Sequence, residues 1–185
     1  MKKLAREVSI IGVGMHRCGK FLDKGLKDLT KEAVWKAIHD AGIDANLIEG
    51  VYFANVLAGL TTGQEAVRGH VYLRDAGFEA TPIINVEGAC ASGTMALHEA
   101  VLAVASGLFD VVLAVGAEKL YLNDTGRSLK AMAANTDVEL MGGIGFQFTN
   151  RMHHTFCVFI IPSIFFEISF VAVRALDNVL GLFVM

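Results

Sequence analysis

The residues best placed to do chemistry surround Cys90, in the stretch Ile83-Ile84-Asn85-Val86-Glu87-Gly88-Ala89-Cys90-Ala91-Ser92-Gly93-Thr94-Met95. A β-branched apolar run ends at a turn of small residues, and a long apolar helix pattern starts at once. That layout predicts a thiol at the positive end of a helix. Aligned peptide dipoles and free N–H groups there favour a thiolate and can receive an oxyanion. A free cysteine is commonly just a small buried hydrophobe. The flanks Gly88, Ala89, Ala91, Ser92 and Gly93 oppose that reading, because small side chains leave room for a ligand to reach the sulfur. The chemistry suggested is covalent acyl transfer. A second catalytic reading is a nucleophile elbow of the α/β-hydrolase kind, with Ser92 standing where the last glycine of G-x-S-x-G belongs. It requires an acid and then a histidine after the nucleophile. His98 faces away by helical spacing, and His153 and His154 fall in an unusual C-terminal stretch.

Other chemistry-bearing residues read more plainly. Gly12-Val13-Gly14-Met15-His16-Arg17 begins like a dinucleotide fingerprint, but Arg17 stands at the third glycine position and no helix pattern follows directly. Those glycines are expected to serve a strand-end turn. Cys18 lies in a polar loop; His16, His39 and His70 read as surface or packing residues; Asn85 and Glu87 read as turn polarity. Cys18, Cys90 and Cys157 are far apart with no C-x-x-C pair, so neither a metal site nor a disulfide framework is indicated, and a cytoplasmic setting fits.

The elements that must hold Cys90 follow from periodicity. Val8–Gly14, Gly50–Val56, Thr81–Val86 and Asp110–Ala117 read as strands, the third placed at an edge or begun by Pro82. The fourth is apolar throughout, which predicts cover on both faces. Asp28 is positioned to cap a helix with Ala33, Val34, Ala37, Ile38 and Ala41 on one face and Gly42 as its C-terminal stop. Gln64–Asp75 reads as a second helix with Gly69 a weak point. Ala91–Ser106 is a third, ended by Gly107 and apolar nearly all round, hence expected to be buried. Alternation of strand and helix predicts an α/β fold with a mainly parallel sheet.

The 185 residues suffice for one ordinary domain. A net charge of -3 with no basic stripe gives no support to nucleic-acid binding. The basic start Met1–Glu7 precedes too short an apolar run for a signal peptide. Organisation is expected as an α/β domain over 1–118, a loop region from 119 to 150 with a glycine-rich turn at 141–146, and an apolar tail over 151–185. Residues 156–185 hold six of the twelve phenylalanines and one of the nineteen glycines. The tail's length admits membrane contact, although Pro162 and Glu167 count against a span.

Asn85-Val86-Glu87-Gly88-Ala89-Cys90-Ala91-Ser92-Gly93, followed by Ala96, Ala100, Ala103, Gly107, Asp110, Val112, Ala114, Gly116, Glu118 and Lys119, resembles the N-terminal half of a thiolase. The flavour is that of the sterol-carrier-protein, or acetyl-CoA acetyltransferase-like, group. Ile10–Gly14 and Asp40-Ala41-Gly42-Ile43 fit as well, and the resemblance spans about residues 5–148. It implies a five-stranded mixed, mainly parallel sheet with helices on both faces, paired with a second, similar half. It implies Cys90 as the nucleophile that takes an acyl group from acyl-CoA, which is substrate rather than cofactor. Its own N–H would form half of an oxyanion hole. It also implies a homodimer or a thiolase-like partner, and a base and an acid on the second half. Resemblance ends near Phe148, so 151–185 is expected to be a read-through, frameshifted or spliced-in tail on a truncated product, inactive alone. The expected helix face lacking its twin is Leu97, Val101 and Val104. A non-catalytic CoA-binding or interaction module is the alternative outside catalysis.

Overall fold

In a computed structural model the described residues are 5–139, together with the backbone of 170–175. Among these residues five strands form one sheet: β1 (Val8–Gly14), β2 (Gly50–Ala54), β3 (Ile83–Val86), β4 (Val111–Gly116) and β5 (Phe170–Ala175), in the order β1-β5-β4-β2-β3. β2 pairs in parallel with both β3 and β4, while β5 lies antiparallel between β1 and β4. This is the expected mixed sheet, and β3, with Pro82 before it, is indeed an edge. A stretch of the expected tail thus supplies an inner strand. The glycine-rich turn at 141–146, Cys157, His153, His154 and the rest of the tail lie outside the described residues.

Among the described residues five helices accompany the sheet: α1 (Leu26–Ala41), α2 (Ala58–Thr62), α3 (Arg68–Leu73), α4 (Ser92–Ala105) and α5 (Thr125–Ala133). Burial alternates along β4 between two cores. Val111, Leu113 and Val115 join α1's Ala33, Val34, Ala37 and Ile38, whereas Val112 and Ala114 join α4's Ala96, Ala100, Ala103 and Val104. β4 is therefore covered on both faces, as its unbroken apolar run implies. Among the described residues no helix is long and apolar enough to cross a membrane.

Local chemistry differs from expectation in four places. The first helix begins earlier than expected: its N-cap is Gly25, and Asp28 sits three residues on, where its carboxylate accepts the Gly25 N–H at 2.8 Å. Gly42 ends it at φ 63°, as read. The single helix expected over Gln64–Asp75 is shorter: α3 covers only Arg68–Leu73, entered from Val67 at φ 48° and continued by a 3-10 turn over Arg74–Ala76, while α2 is a separate short helix ahead of it, ended by Gly63 at φ 87°. Gly12 and Gly14 make no turn; they lie within β1 and seat α1 directly on the strand. Finally, α4 buries one face only. Val104 is fully buried, and Leu97 and Val101 pack against the second core. The apolar side chains left uncovered are Met95 and Leu102, the neighbouring stripe.

Charge organises the start of α1. Glu32 accepts from Lys24 and Lys36, each at 2.9 Å, and these two bonds lower its carboxyl pKa to about 2. Buried His16 donates from Nδ1 to the Arg17 carbonyl at 2.7 Å, leaving Nε2 to accept from Lys24 at 3.0 Å. Because the folded value lies below 4.5, this cluster stabilises fully above pH 4.5 and loses its contribution as pH falls toward 2. Glu32 is half-exposed, so solvent screens it. Glu32→Gln is expected to cost up to about 1 kcal/mol at neutral pH. The gap from wild type should close on acidification below pH 4.5, which urea unfolding at stepped pH measures.

Candidate functional site

β3 ends at Val86, and the chain crosses to α4 through a single 3-10 turn, Ala89–Ala91, that carries Cys90. The turn is closed by three short bonds. Ala91 N–H donates to Gly88 C=O at 3.0 Å, Gly88 N–H donates to Ser92 Oγ at 2.8 Å, and Ser92 Oγ–H donates to Ala89 C=O at 2.7 Å. Ser92 thus locks the turn instead of replacing a glycine in a nucleophile elbow. Ala89 holds φ 48°, a left-handed conformation that costs a non-glycine residue about 1 kcal/mol. Cys90 is exposed, one residue before the final turn residue leads into α4. Met95's sulfur lies over Gly88 where a Cβ would stand, while a Cβ at Gly93 would meet nothing within 4 Å. One side of the turn is lidded and the other is open.

No histidine or acid among the described residues hydrogen-bonds the Cys90 sulfur. His98 is exposed and its Nδ1 is 3.2 Å from Glu99 Oε1. His39 and His70 are exposed, and His16 is buried beside β1's end. Cys18 is exposed in the β1–α1 loop. Local proximity therefore offers no base for the elbow-type hydrolase reading.

Sequence reasoning missed the polar group that spans the strand ends beside the turn. Parallel strands β4, β2 and β3 finish on one edge of the sheet, the edge where α/β sheets receive ligands. There the Asn55 amide donates to Ala117 C=O at 2.7 Å and to Glu118 Oε1 at 3.2 Å. Glu118 Oε2 accepts the Val56 and Leu57 N–H groups, both at 3.0 Å. Burial raises the Glu118 carboxyl above its ordinary pKa, and these hydrogen bonds offset only part of that rise. Arg68 continues the group toward Cys90: Nη1 reaches Val56 C=O at 3.0 Å and Glu87 Oε2 at 3.5 Å. Asn85 Oδ1 accepts the Gly69 N–H at 2.7 Å. Asn85 and Glu87 are thus ties between strand and helix, not idle turn polarity. Asn85, Glu87 and Glu118 were marked in the sequence by the family resemblance alone, with no role attached; Asn55, 63 residues from Glu118, carried no signal.

Comparison with known proteins places this geometry. The family model "Thiolase, N-terminal domain" matches residues 8–148. The acetyl-CoA acetyltransferase of Methanocaldococcus jannaschii is 41% identical over 134 residues, covering 72% of this chain and 33% of that protein. Sterol carrier protein 2 of Gallus gallus is 37% identical over 119 residues, covering 63% of this chain and 21% of that protein. In structure, an acetyl-CoA acetyltransferase from Syntrophomonas wolfei superposes with a TM-score of 0.56 at 24% identity, over 67% of this chain and 33% of that one, a likeness of fold. The chain spans about a third of the length of the first two acetyltransferases it matches.

Proposed function

Because the chain belongs to the thiolase family, matched through that family's N-terminal domain, we propose that it accepts an acyl group from a coenzyme A thioester on the sulfur of Cys90. The thiolate attacks the thioester carbonyl and a tetrahedral oxyanion forms. The bond to the CoA sulfur then breaks, leaving an acyl-cysteine and a CoA thiolate that takes up the proton Cys90 lost. The Cys90 N–H supplies half of the oxyanion hole. The observation that carries this reading is an exposed thiol on a turn of small residues that leads straight into α4, open on its Gly93 side. Acyl-CoA is the substrate, and no further cofactor enters. A carbon–carbon bond-forming or thiolytic cycle also needs a base beside the sulfur, and nucleophile and base act as a unit. The described residues put none there, so this chain is proposed to load the acyl group without completing turnover. Its completion is assigned to a second thiolase-like half or partner chain, in a cytoplasmic setting.

Incubation with acetyl-CoA, followed by intact mass and peptide mapping, tests the loading step. One acetyl group is expected on Cys90 and none on Cys90→Ala, with Cys18 as the internal control for unselective thiol chemistry. Equal labelling of Cys18 and Cys90, or none at Cys90, overturns the reading.

A further inference from the structure

We infer that Arg68 is a positioning residue for the Cys90 turn, the point through which the end of β2 is tied to the segment after β3 that presents the sulfur. The role goes beyond acyl loading; its purpose rests on that reading of Cys90, while its geometry does not. Arg68 opens α3 and is largely buried, its side chain 17% exposed. Its Nε donates to Glu65 C=O at 3.2 Å, which fixes the direction of the guanidinium. Nη1 then stands among acceptors from two strand ends. On the β2 side these are Val56 C=O at 3.0 Å, Asn55 Oδ1 at 3.3 Å and Asn55 C=O at 3.4 Å; on the β3 side it is Glu87 Oε2 at 3.5 Å. Glu87 is directly followed by Gly88, whose N–H and C=O both take part in closing the Cys90 turn.

Three features make this a positioning arrangement and not a chance surface pair. The next residue along α3, Gly69, donates its N–H to Asn85, so the two segments are fastened at two adjacent points. Gly69 is itself obligatory there, since a Cβ would lie 2.6 Å from Ile83 Cγ2 and 2.8 Å from Phe53 Cβ. Both fastened segments also carry a non-glycine residue at positive φ, Val67 directly before Arg68 and Ala89 directly before Cys90. Such conformations persist only where neighbouring contacts over-determine them. A planar guanidinium suits this place because it directs donors from two fixed nitrogens, Nε to the loop carbonyl and Nη1 to the strand-end carbonyl and the carboxylate, whereas the three N–H groups of a lysine radiate from one.

Hydrogen exchange on the full chain tests the inference without any acyl donor. Arg68→Ala is expected to speed exchange of the Gly88 and Ala91 amides at least tenfold, with α1 and β4 amides unchanged. Arg68→Lys should recover little of that protection, and millimolar guanidinium should recover part of it in Arg68→Ala. Glu87→Gln should raise exchange at the same two amides, and the double variant should add little more. Unchanged exchange at Gly88 and Ala91 in a folded Arg68→Ala chain overturns the proposal. So does exchange that rises equally throughout the molecule, which would mark a general structural role. If the turn loosens but wild type never takes acetyl from acetyl-CoA, the acyl-loading reading falls and the positioning of the turn stands.

Discussion

Gly14→Ala is expected to remove about 3 kcal/mol of stability, the upper part of the usual range for overpacking a core. A Cβ on Gly14 would fall inside contact distance of Ala33 C=O and Ala37 N–H, and 2.9 Å from Ala37 Cα. These are backbone atoms of α1, so no rotamer change relieves the clash; the helix itself must back away from β1. Ala33, Val34 and Ala37 are completely buried in the core that α1 shares with β4, and every one of them would lose contact if it did. Gly12 repeats the arrangement one pleat earlier, with Ala37 C=O at 2.5 Å and Ala41 Cβ at 2.6 Å. Gly93→Ala is the control: it sits in α4 with open space around it, and it should gain about 0.5 kcal/mol from helix propensity alone. Urea unfolding midpoints of the two variants should move in opposite directions. A Gly14→Ala chain within 1 kcal/mol of wild type would mean that α1 is free to shift on the sheet.

The same pair of glycines shows what was and was not legible before the fold was known. Val8–Gly14 could be read as a strand from its apolar run, but a glycine's purpose depends on what lies opposite, and α1 lies opposite only after the chain has folded. β2, β4 and α1 were readable because their signals are local: apolar runs bounded by glycine, and an alanine-rich stripe stopped at Gly42; β5, the remaining inner strand, falls in the apolar tail and was not read as a strand. The setting of Cys90 was readable for the same reason, since strand, turn and helix follow one another within a dozen residues. The face of α4 was misjudged because Leu97-Val101-Val104 and the alanine stripe beside it differ by one residue in phase. The family resemblance implied that the first stripe would lack cover, whereas Val104 is buried together with Ala96, Ala100 and Ala103, and Leu97 and Val101 pack against the same core. The late start of α3 rests on a valine held at positive φ, a conformation that no propensity favours. Least legible was the strand-end group. Glu118 was marked only by the family resemblance and had no role until β2 and β4 brought Val56 and Leu57 to it.

That group carries the second large effect. Glu118→Ala is expected to cost about 3 kcal/mol, because it leaves the Val56 and Leu57 N–H groups without their acceptor. Asn55 cannot compensate by turning over. Its Oδ1 already accepts the Ala58 N–H at 3.2 Å and its amide holds Ala117 C=O, so a flipped amide would lose both. Glu118→Gln isolates charge from hydrogen bonding. Its one oxygen can serve both backbone donors, but its amide would oppose the Asn55 amide, a loss of about 1 kcal/mol. The pH dependence then has a definite sign. Burial raises the Glu118 pKa in the folded state, so its contribution to stability is fully present below pH 4.5 and declines as pH rises through the raised value. The penalty for Gln should therefore be largest near pH 4.5 and shrink toward neutrality, opposite in direction to the Glu32 effect, which fades below pH 4.5. Denaturant unfolding of wild type, Glu32→Gln and Glu118→Gln across pH 3 to 7 reads both windows in one series. A Glu118→Gln penalty that grows with pH would show that the two backbone donors and Asn55 outweigh burial, and that the carboxylate, not the acid, is the form the strand ends are built around.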